Sequence, residues 1–234
     1  MGDSANMTEQ LTALDSETHR TLRIEKPAHE RRHFVAIAPS EFAVAAASCP
    51  VLFAKRADTG AFYAAALMGF REGENLLAAA YGDASRFVPQ DAICQGLFID
   101  GDHIAIDADH ARFSHHSGDP LFEADGTPAP ALHRIRRALT ALAEGADETQ
   151  KLVAALNAHR LIEPLDVSLQ FDDGERIVLD GLYTVSLDAL HDLDDAAVVA
   201  LFRAGHLQLA HIMAASLRQL PLLAQARNRQ LTMA

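Results

Sequence analysis

The sequence predicts an α+β fold in which an antiparallel sheet built from hairpins packs against a central helix pair and a C-terminal helix pair. Apolar runs occur in pairs, and short connections containing Asp and Gly separate the two runs, which is typical of β-hairpins. Two later stretches instead carry apolar residues three and four positions apart, the spacing of one helix face. The change of period along the chain therefore separates sheet-forming from helix-forming parts.

Length and composition predict one domain with an apolar core. The chain has 234 residues, of which 49% are hydrophobic, and this suffices for a core. We expect a single α+β domain over residues 15–229, a disordered polar tail over 1–14 and a short tail over 230–234. The formal net charge of −12 would repel phosphate backbones and anionic lipids. Nucleic acids and membrane surfaces are therefore not expected as partners.

The sequence also bears on where the protein works. No stretch has the roughly 18 consecutive apolar residues of a membrane span, and no apolar segment of a signal peptide follows the first residues. We therefore expect a cytoplasmic protein. Cys49 and Cys94 are expected to be buried thiols, because disulfides are rare inside cells. Their distance in space is left open.

The first part of the chain predicts a short arm, a strand and a helix. Leu22 and Ile24 alternate with polar neighbours, a pattern typical of a short strand. Residues 33–38 form an unbroken apolar run, which favours a buried strand. The Ala-rich residues 41–48 predict a helix that ends before Pro50.

Two hairpins are predicted next. Residues 51–55 and 61–70 flank a connection with Asp and Gly and predict the first, with 76–80 as a third strand of the same meander. Residues 97–99 and 103–107 predict the second, around an Asp-Gly-Asp turn. A short helix over 87–94, opened by its proline, and a long surface loop over 107–130 complete this part.

A helix pair and a third hairpin follow. Residues 130–143 and 147–161 each place apolar side chains on one helix face, and Gly145 is expected to separate the two helices. Residues 165–171 alternate apolar with polar, and a turn returns the chain into residues 177–182. This pattern predicts a hairpin with one dry and one wet face.

The C-terminal stretch changes from strand to helix after Val185. Ser186 and the acidic residues behind it suit a helix N-terminus, Gly205 ends that helix, and Pro221 kinks or ends the next one. The second helix carries an apolar stripe, which we expect to be the interface with a protein partner or with a second copy in a homodimer. The stripe consists of Leu209, Ile212, Met213, Leu217 and Leu220.

One loop has the ingredients of a metal site. Two carboxylates and three imidazoles fall within ten residues, and this set suits zinc or non-haem iron. The alternative is a solvated loop, because adjacent histidines rarely bind one ion and no helical His-x-x-x-His face orients them. The candidate ligands are Asp107, Asp109, His110, His115 and His116.

Motifs of other reaction centres are absent from the sequence. There is no Gly-x-Gly-x-x-Gly turn, no Gly-Lys-Ser/Thr phosphate loop, no Gly-x-Ser-x-Gly elbow and no Cys-x-x-Cys pair. These patterns would indicate nucleotide binding, a serine nucleophile or a redox and zinc role. We therefore favour binding over catalysis and predict no cofactor, apart from the transition metal of the loop.

Short motifs along nearly the whole chain give it a resemblance to the SapC family of bacterial proteins. The motifs also occur in the same order as in that family, and a helix pair around Gly205 follows the last of them. The motifs are Leu14-Asp-Ser-Glu-Thr-His-Arg20, Ala38-Pro-Ser-Glu-Phe42, Gly73-Glu-Asn-Leu76, Phe87-Val-Pro89, Pro120-Leu-Phe122 with Asp125-Gly126, Leu161-Ile-Glu-Pro-Leu165 and Gly181-Leu-Tyr-Thr-Val185.

The resemblance implies an accessory role. The family takes its name from a protein linked with a bacterial surface layer, and its members resemble proteins encoded near TonB-dependent uptake receptors, flavin-dependent halogenases and cupin-like oxygenases. It offers no catalytic residues to transfer. Three hypotheses follow: a non-enzymatic binding protein that recognises a protein or small ligand and is linked to TonB-dependent uptake, a metal-dependent enzyme using the Asp107–His116 loop, and a structural protein of a surface layer.

Overall fold

The computed structural model describes residues 11–26, 32–82 and 87–233. The chain divides into two compact units. Unit 1 comprises Met1–Glu30 and Gln90–Leu142, and unit 2 comprises Arg31–Pro89 and Ala143–Ala234. The presence of two compact units does not show whether each folds independently. The single domain predicted over residues 15–229 therefore stays a prediction.

Strands and helices occur in groups along the described residues. The strands are β1 (Thr12–Ala13), β2 (Arg23–Ile24), β3 (Phe34–Ala36), β4 (Val51–Lys55), β5 (Phe62–Leu67), β6 (Leu97–Asp100), β7 (His103–Ile106), β8 (Phe113–Ser114), β9 (Asp119–Pro120), β10 (Ile162–Pro164), β11 (Ser168–Gln170), β12 (Arg176–Val178) and β13 (Leu182–Val185). The helices are α1 (Phe42–Ala46), α2 (Leu77–Tyr81), α3 (Gln90–Cys94), α4 (Pro130–Ala158), α5 (Leu187–His191), α6 (Asp195–Arg203), α7 (His206–Ser216) and α8 (Gln219–Met233), and a 3₁₀ turn (Pro39–Glu41) precedes α1. The predicted α+β class is confirmed.

Unit 1 contains two small antiparallel sheets and the first half of α4. One sheet has the strand order β1-β7-β6, and the other has the order β8-β2-β9. Apolar side chains of both sheets pack with one face of α4 into a core, because that face repeats every three to four residues. Its helical members are Ala131, Leu132, Ile135, Ala138 and Leu139.

Unit 2 is built on a five-stranded antiparallel sheet. Its order is β10-β13-β4-β5-β3, and the hairpin β11-β12 stands beside it as a separate two-stranded sheet. The Ser216 hydroxyl on α7 accepts a hydrogen bond of 2.8 Å from the Val51 N–H at the start of β4. This bond joins the C-terminal helices to the middle strand of the sheet.

The three predicted hairpins are confirmed as β4-β5, β6-β7 and β11-β12. The predicted strand over 76–80 is wrong, because residues Leu77–Tyr81 form helix α2. The Asn75 side chain accepts a hydrogen bond of 3.0 Å from the Leu77 N–H and so caps the turn into this helix. Alanine-rich residues favour the helix once that turn is made.

The predicted central helix pair is one continuous helix, α4, over Pro130–Ala158. Gly145 does not interrupt it. A Cβ atom at this position would lie 2.4 Å from the Cβ of Ala38, so glycine is needed for close packing rather than for a helix end. The Thr149 hydroxyl donates to the Gly145 carbonyl at 2.7 Å, which keeps that turn of the helix hydrogen-bonded.

The C-terminal part contains more helices than the predicted pair. Ser186 and Asp194 cap α5 and α6 through hydrogen bonds from the N–H groups of Ala189 and Ala197, as their sequence positions predict. Gly205, with φ of +76°, separates α6 from α7. The next break falls at residues 217–218, and Pro221 lies in the first turn of α8, where its missing N–H is tolerated.

Regular secondary structure extends into both of the predicted tails. Within the predicted N-terminal tail, Thr12–Ala13 pairs with β7, and residues 1–10 lie outside the described residues. Within the predicted C-terminal tail, α8 continues to Met233. No single described helix is long and apolar enough to cross a membrane; α6 and the following helices reach that length only together, with a 91° bend.

Candidate functional site

The predicted interface stripe is divided between two helices, because Leu209, Ile212 and Met213 lie on α7, Leu217 follows its end and Leu220 lies on α8. Its side chains lie largely in the core of unit 2. Met213 is fully buried and Leu220 is 6% exposed. The other three residues are partly buried and pack against the same core; they are Leu209, Ile212 and Leu217. The stripe therefore contributes to the core of unit 2, and its role as a partner interface stays a prediction.

The candidate metal ligands lie in a stretch that makes local turns. The Asp107 carboxylate accepts a hydrogen bond from the Asp109 N–H at 3.2 Å, and the His110 ring stands edge-on to Phe113. The His115 Nδ1 lies 3.1 Å from the Thr21 hydroxyl, and His116 is exposed. Each side chain thus takes part in its own turn or faces solvent.

These five residues do not converge on one point. Among the described residues, which include all five, no group of three or more His, Cys, Asp or Glu side chains is placed to hold a metal ion. The strands β8 and β9 also interrupt the predicted surface loop over 107–130, and both pair with β2. The metal site stays a prediction without geometric support.

A cleft of about 470 Å³ opens in unit 1, and we call it the unit 1 cleft. Three chain segments and helix α4 surround it. From the segments come Leu14, Asp15, Ser16, Ile99, Gly101, Asp102, His103, Ile104, Phe122, Gly126 and Pro128, and from α4 come Leu132, Arg136, Leu139 and Thr140. The volume falls in the range of small-molecule sites, about 300–1,000 Å³.

The floor of the unit 1 cleft is apolar. Leu132 is fully buried, and Leu139 and Phe122 are 7% and 8% exposed. Leu132, Arg136 and Thr140 follow one another at intervals of four residues, and Leu139 lies three residues after Arg136, so one face of the helix supplies both floor and rim. Polar groups contribute more of the accessible lining than apolar groups do, so a ligand in the cleft would contact both kinds of surface.

The wall formed by the N-terminal arm is fixed by its own hydrogen bonds. The Asp15 carboxylate accepts bonds of 2.8 Å from the N–H groups of Thr18 and Glu17. These bonds hold the pKa of Asp15 below its ordinary value. The buried His19 ring places its Nδ1 3.6 Å from the same carboxylate. The arm therefore presents an ionised carboxylate in a fixed turn.

A second fixed turn forms the wall next to this arm. The Asp125 carboxylate accepts bonds from the hydroxyl and N–H of Thr127, at 2.6 and 2.9 Å, and the Thr127 hydroxyl bond is the larger cause of its lowered pKa. Gly126, with φ of +86°, lies between them against Ser16 and Arg20. Only a residue that adopts positive φ readily fits this turn.

The rim of the unit 1 cleft carries charges of both signs. Arg136, Asp102 and His103 are exposed at the opening. Within the described part of the chain, no hydrogen bond or ion pair involves their side chains. A guanidinium in this position suits a carboxylate, sulfonate or phosphate group, and a carboxylate suits an ammonium or hydroxyl group.

Arg112 is a buried residue that forms several hydrogen bonds within unit 1. The sequence did not indicate this structural role. Its side chain donates to the carbonyls of Ala92, Ile93 and Gln95 at 2.9, 3.0 and 3.3 Å, and to the Glu25 carbonyl at 3.1 Å. It thereby satisfies carbonyls at the end of α3 and joins them to β2. Burial lowers its pKa, with little consequence for its charge.

A second groove, of about 430 Å³, lies in unit 2. Its lining combines the 3₁₀ turn, α4 and the start of α7, and includes Pro39, Ser40, Glu148, Lys151, Gly205, His206 and Leu209. Burial lowers the pKa of His206 there. This groove lacks the continuous buried floor of the unit 1 cleft, so the unit 1 cleft is the stronger candidate for ligand binding.

The two cysteines are buried thiols, as the sequence predicts. Cys49 is fully buried, its thiol donates to the Ala45 carbonyl at 3.3 Å, and burial raises its pKa to about 12. Cys94 is 5% exposed and lies in the core of unit 1. A thiol held in the neutral form is a poor nucleophile, so Cys49 is a core residue.

Comparison with known proteins gives one match. The SapC family model matches residues 14–223 of the chain. No curated protein and no solved structure matches it. The matched range includes every residue that lines the unit 1 cleft.

Proposed function

The chain belongs to the SapC family, and we propose that it is a non-enzymatic accessory protein that binds a small organic ligand in the unit 1 cleft. The observation that carries this proposal is the combination of a buried apolar floor with rim charges that the fold leaves unpaired among the described residues. Sites for small ligands commonly have an apolar lining and a few placed polar groups.

The chemistry of the lining defines the class of ligand. The floor fits an apolar body, such as an aromatic or branched aliphatic group. Arg136 fits an acidic group of that ligand, while Asp15 and Asp102 fit hydroxyl or ammonium groups. The proposed ligand is therefore a small molecule with an apolar body and a charged or hydroxylated end.

The cellular role is the less direct part of the proposal. The resemblance to proteins encoded near TonB-dependent receptors supports a link to uptake, in which the protein holds an imported molecule in the cytoplasm or presents it to a protein partner. Cell fractionation tests the location. A chain found only in the outer envelope would contradict the cytoplasmic role and favour the surface-layer alternative.

A fluorescent probe tests ligand binding at the cleft. Anilinonaphthalene sulfonate has an apolar ring system and an anionic group, so it should bind the cleft and fluoresce more strongly. Arg136→Glu should weaken its binding about tenfold, because the sulfonate would meet a carboxylate. The matched control is Arg137→Glu, an exposed neighbour on α4 that does not line the cleft.

The outcomes of this titration are distinct. A loss of probe affinity confined to Arg136→Glu supports the proposal. Equal affinity in both variants, or no binding to the wild type, contradicts it. Elemental analysis of the same preparation addresses the metal-dependent alternative, for which about one equivalent of a transition metal is expected.

A further inference from the structure

Helix α6 presents an apolar face to solvent. Phe202 is 71% exposed and Val199 is 45% exposed, although both are large hydrophobic residues. On the other side of the helix, Ala197 and Leu201 are buried, and Leu201 belongs to the core of unit 2. The fold therefore fixes the orientation of α6, and none of the residues that the structure describes covers its apolar face.

Ala200 is exposed at the edge of this surface, and five other exposed residues of α6 form one continuous face. With about 100° between successive residues, their positions fall within roughly a third of the helix circumference. Charged residues stand at the two ends of the face and apolar residues lie between them. The members are Asp195, Ala196, Val199, Phe202 and Arg203.

This face is complementary to the same face of a second, antiparallel copy of the helix. Asp195 and Arg203 lie four residues before and after Val199, and Ala196 and Phe202 lie three residues before and after it. In an antiparallel pair of identical helices centred on Val199, each acidic end meets a basic end. Each large Phe202 also meets a small Ala196. A twofold interface requires this kind of self-complementarity.

We propose that a second copy of this chain docks on α6, antiparallel, with the twofold axis passing beside Val199. Asp195 pairs with Arg203 of the partner subunit, and Phe202 packs against the partner's Ala196. The charges favour a second copy over an unrelated protein. In the antiparallel pair, the acidic Asp195 end of one helix lies beside the basic Arg203 end of the other. In this proposal the α6 face, rather than the predicted interface stripe, is the homodimer surface.

The dimer should be weak. A helix of nine residues is about 13 Å long, so the interface is smaller than the roughly 1,600 Å² of a standard stable complex. We expect a dissociation constant of about 10–500 μM, typical of a transient association. This proposal concerns unit 2 and does not depend on ligand binding in unit 1.

Charge-swap variants test the arrangement by sedimentation equilibrium of the full chain from about 10 μM to 1 mM. Asp195→Arg alone, or Arg203→Asp alone, places like charges together twice in each dimer and should weaken association at least about tenfold. The double variant restores opposite charges and should return to within about threefold of the wild type. Circular dichroism establishes that each variant is folded.

A matched pair of valine variants tests the centre of the face. Val199→Asp should abolish association, because two carboxylates would meet at the twofold axis. Val178→Asp, at a residue with a similar exposure of 46% on β12, should leave it unchanged. A wild type that stays monomeric to about 1 mM overturns the proposal. So does a dimer insensitive to Val199→Asp, or a double swap that fails to restore association.

Discussion

Each unit contains a buried arginine, and different groups stabilise the positive charge of each. Arg112 in unit 1 is 8% exposed and donates to backbone carbonyls of α3 and of Glu25, the residue after β2. Arg227 in unit 2 is 4% exposed, donates to the Glu175 carboxylate at 2.6 Å and places its guanidinium 4.5 Å from the centre of the Phe171 ring. Peptide dipoles surround the first charge, whereas a counter-charge and an aromatic face surround the second.

The difference indicates how each region responds to change. Glu175 also pairs with Arg71, and Glu74 lies 3.6 Å from Arg227, so this charge network depends on every member. Within the described residues, two nitrogen atoms of Arg227 have no hydrogen-bond acceptor, which makes its bond to Glu175 more important. Arg136 at the cleft differs from both arginines, because its side chain forms no hydrogen bond or ion pair with the residues that the structure describes.

The largest loss of stability is expected for Glu175→Gln. This change removes a charge that faces two arginines and leaves the Arg227 guanidinium buried beside Glu74 alone. The free energy of unfolding should fall by about 3 kcal/mol, measured by urea unfolding. Glu163→Gln, at an exposed position on β10, is the control and should change it by less than about 0.5 kcal/mol. Equal effects of the two substitutions would contradict the network.

A smaller loss is expected for Arg112→Met. The substitution removes hydrogen bonds to four carbonyls but leaves no orphaned charge, so about 2 kcal/mol of unfolding free energy should be lost. Arg134→Met is the control, since Arg134 is exposed and makes a surface ion pair of 2.9 Å with Asp119, worth less than about 1 kcal/mol. An Arg112 variant as stable as the control would show that the carbonyls find other donors.

Gly145→Ala should destabilise the protein slightly, although alanine normally favours a helix. The added methyl would collide with the Ala38 Cβ, and this strain should exceed the helix preference of about 1 kcal/mol, for a net loss of about 1 kcal/mol. The double variant Ala38→Gly with Gly145→Ala should recover most of the loss. If Gly145→Ala alone raised the melting temperature, close packing at this point would be ruled out.

The smallest effect is expected at His206 and depends on pH. Burial lowers the folded-state pKa, so the unfolded chain takes up the proton first as the pH falls. The wild type should therefore lose stability from about pH 6.5 downwards, until the folded-state pKa is passed. His206→Gln should show a flatter profile in urea unfolding between about pH 5 and 8. A profile identical to that of the wild type would exclude this contribution.

Local patterns predicted the strands better than the helices. Each hairpin combines apolar runs, or in β11-β12 an alternating pattern, with turn residues, and these signals act within a few positions. The continuity of α4 depends instead on the contact of Gly145 with Ala38, more than a hundred residues away. In α2, the cap supplied by Asn75 and the helix preference of alanine prevailed over a pattern read as a strand. Helix limits set by tertiary packing could not be predicted from the sequence alone.

The candidate site was harder to predict from the sequence than the strands and helices. The cleft brings Asp15 close to Gly126 and Arg136, and no local motif links these positions. Arg112 and Glu175 stand in polar stretches, where an exposed side chain is the usual expectation. The clustered histidines gave the clearest local signal, yet the described residues do not converge on a metal position. The proposed binding site therefore depends on residues that are far apart in the sequence.

Native mass spectrometry of the protein, purified without added ligand from the cells that produce it, tests the cleft most directly. The wild type should retain a molecule of a few hundred daltons, as a cleft of this volume allows. Thr140→Trp should lose that molecule by filling the rim, whereas Arg137→Trp on the same helix should keep it. Equal occupancy in all three proteins, or a wild type without any bound molecule, would contradict the proposed binding function.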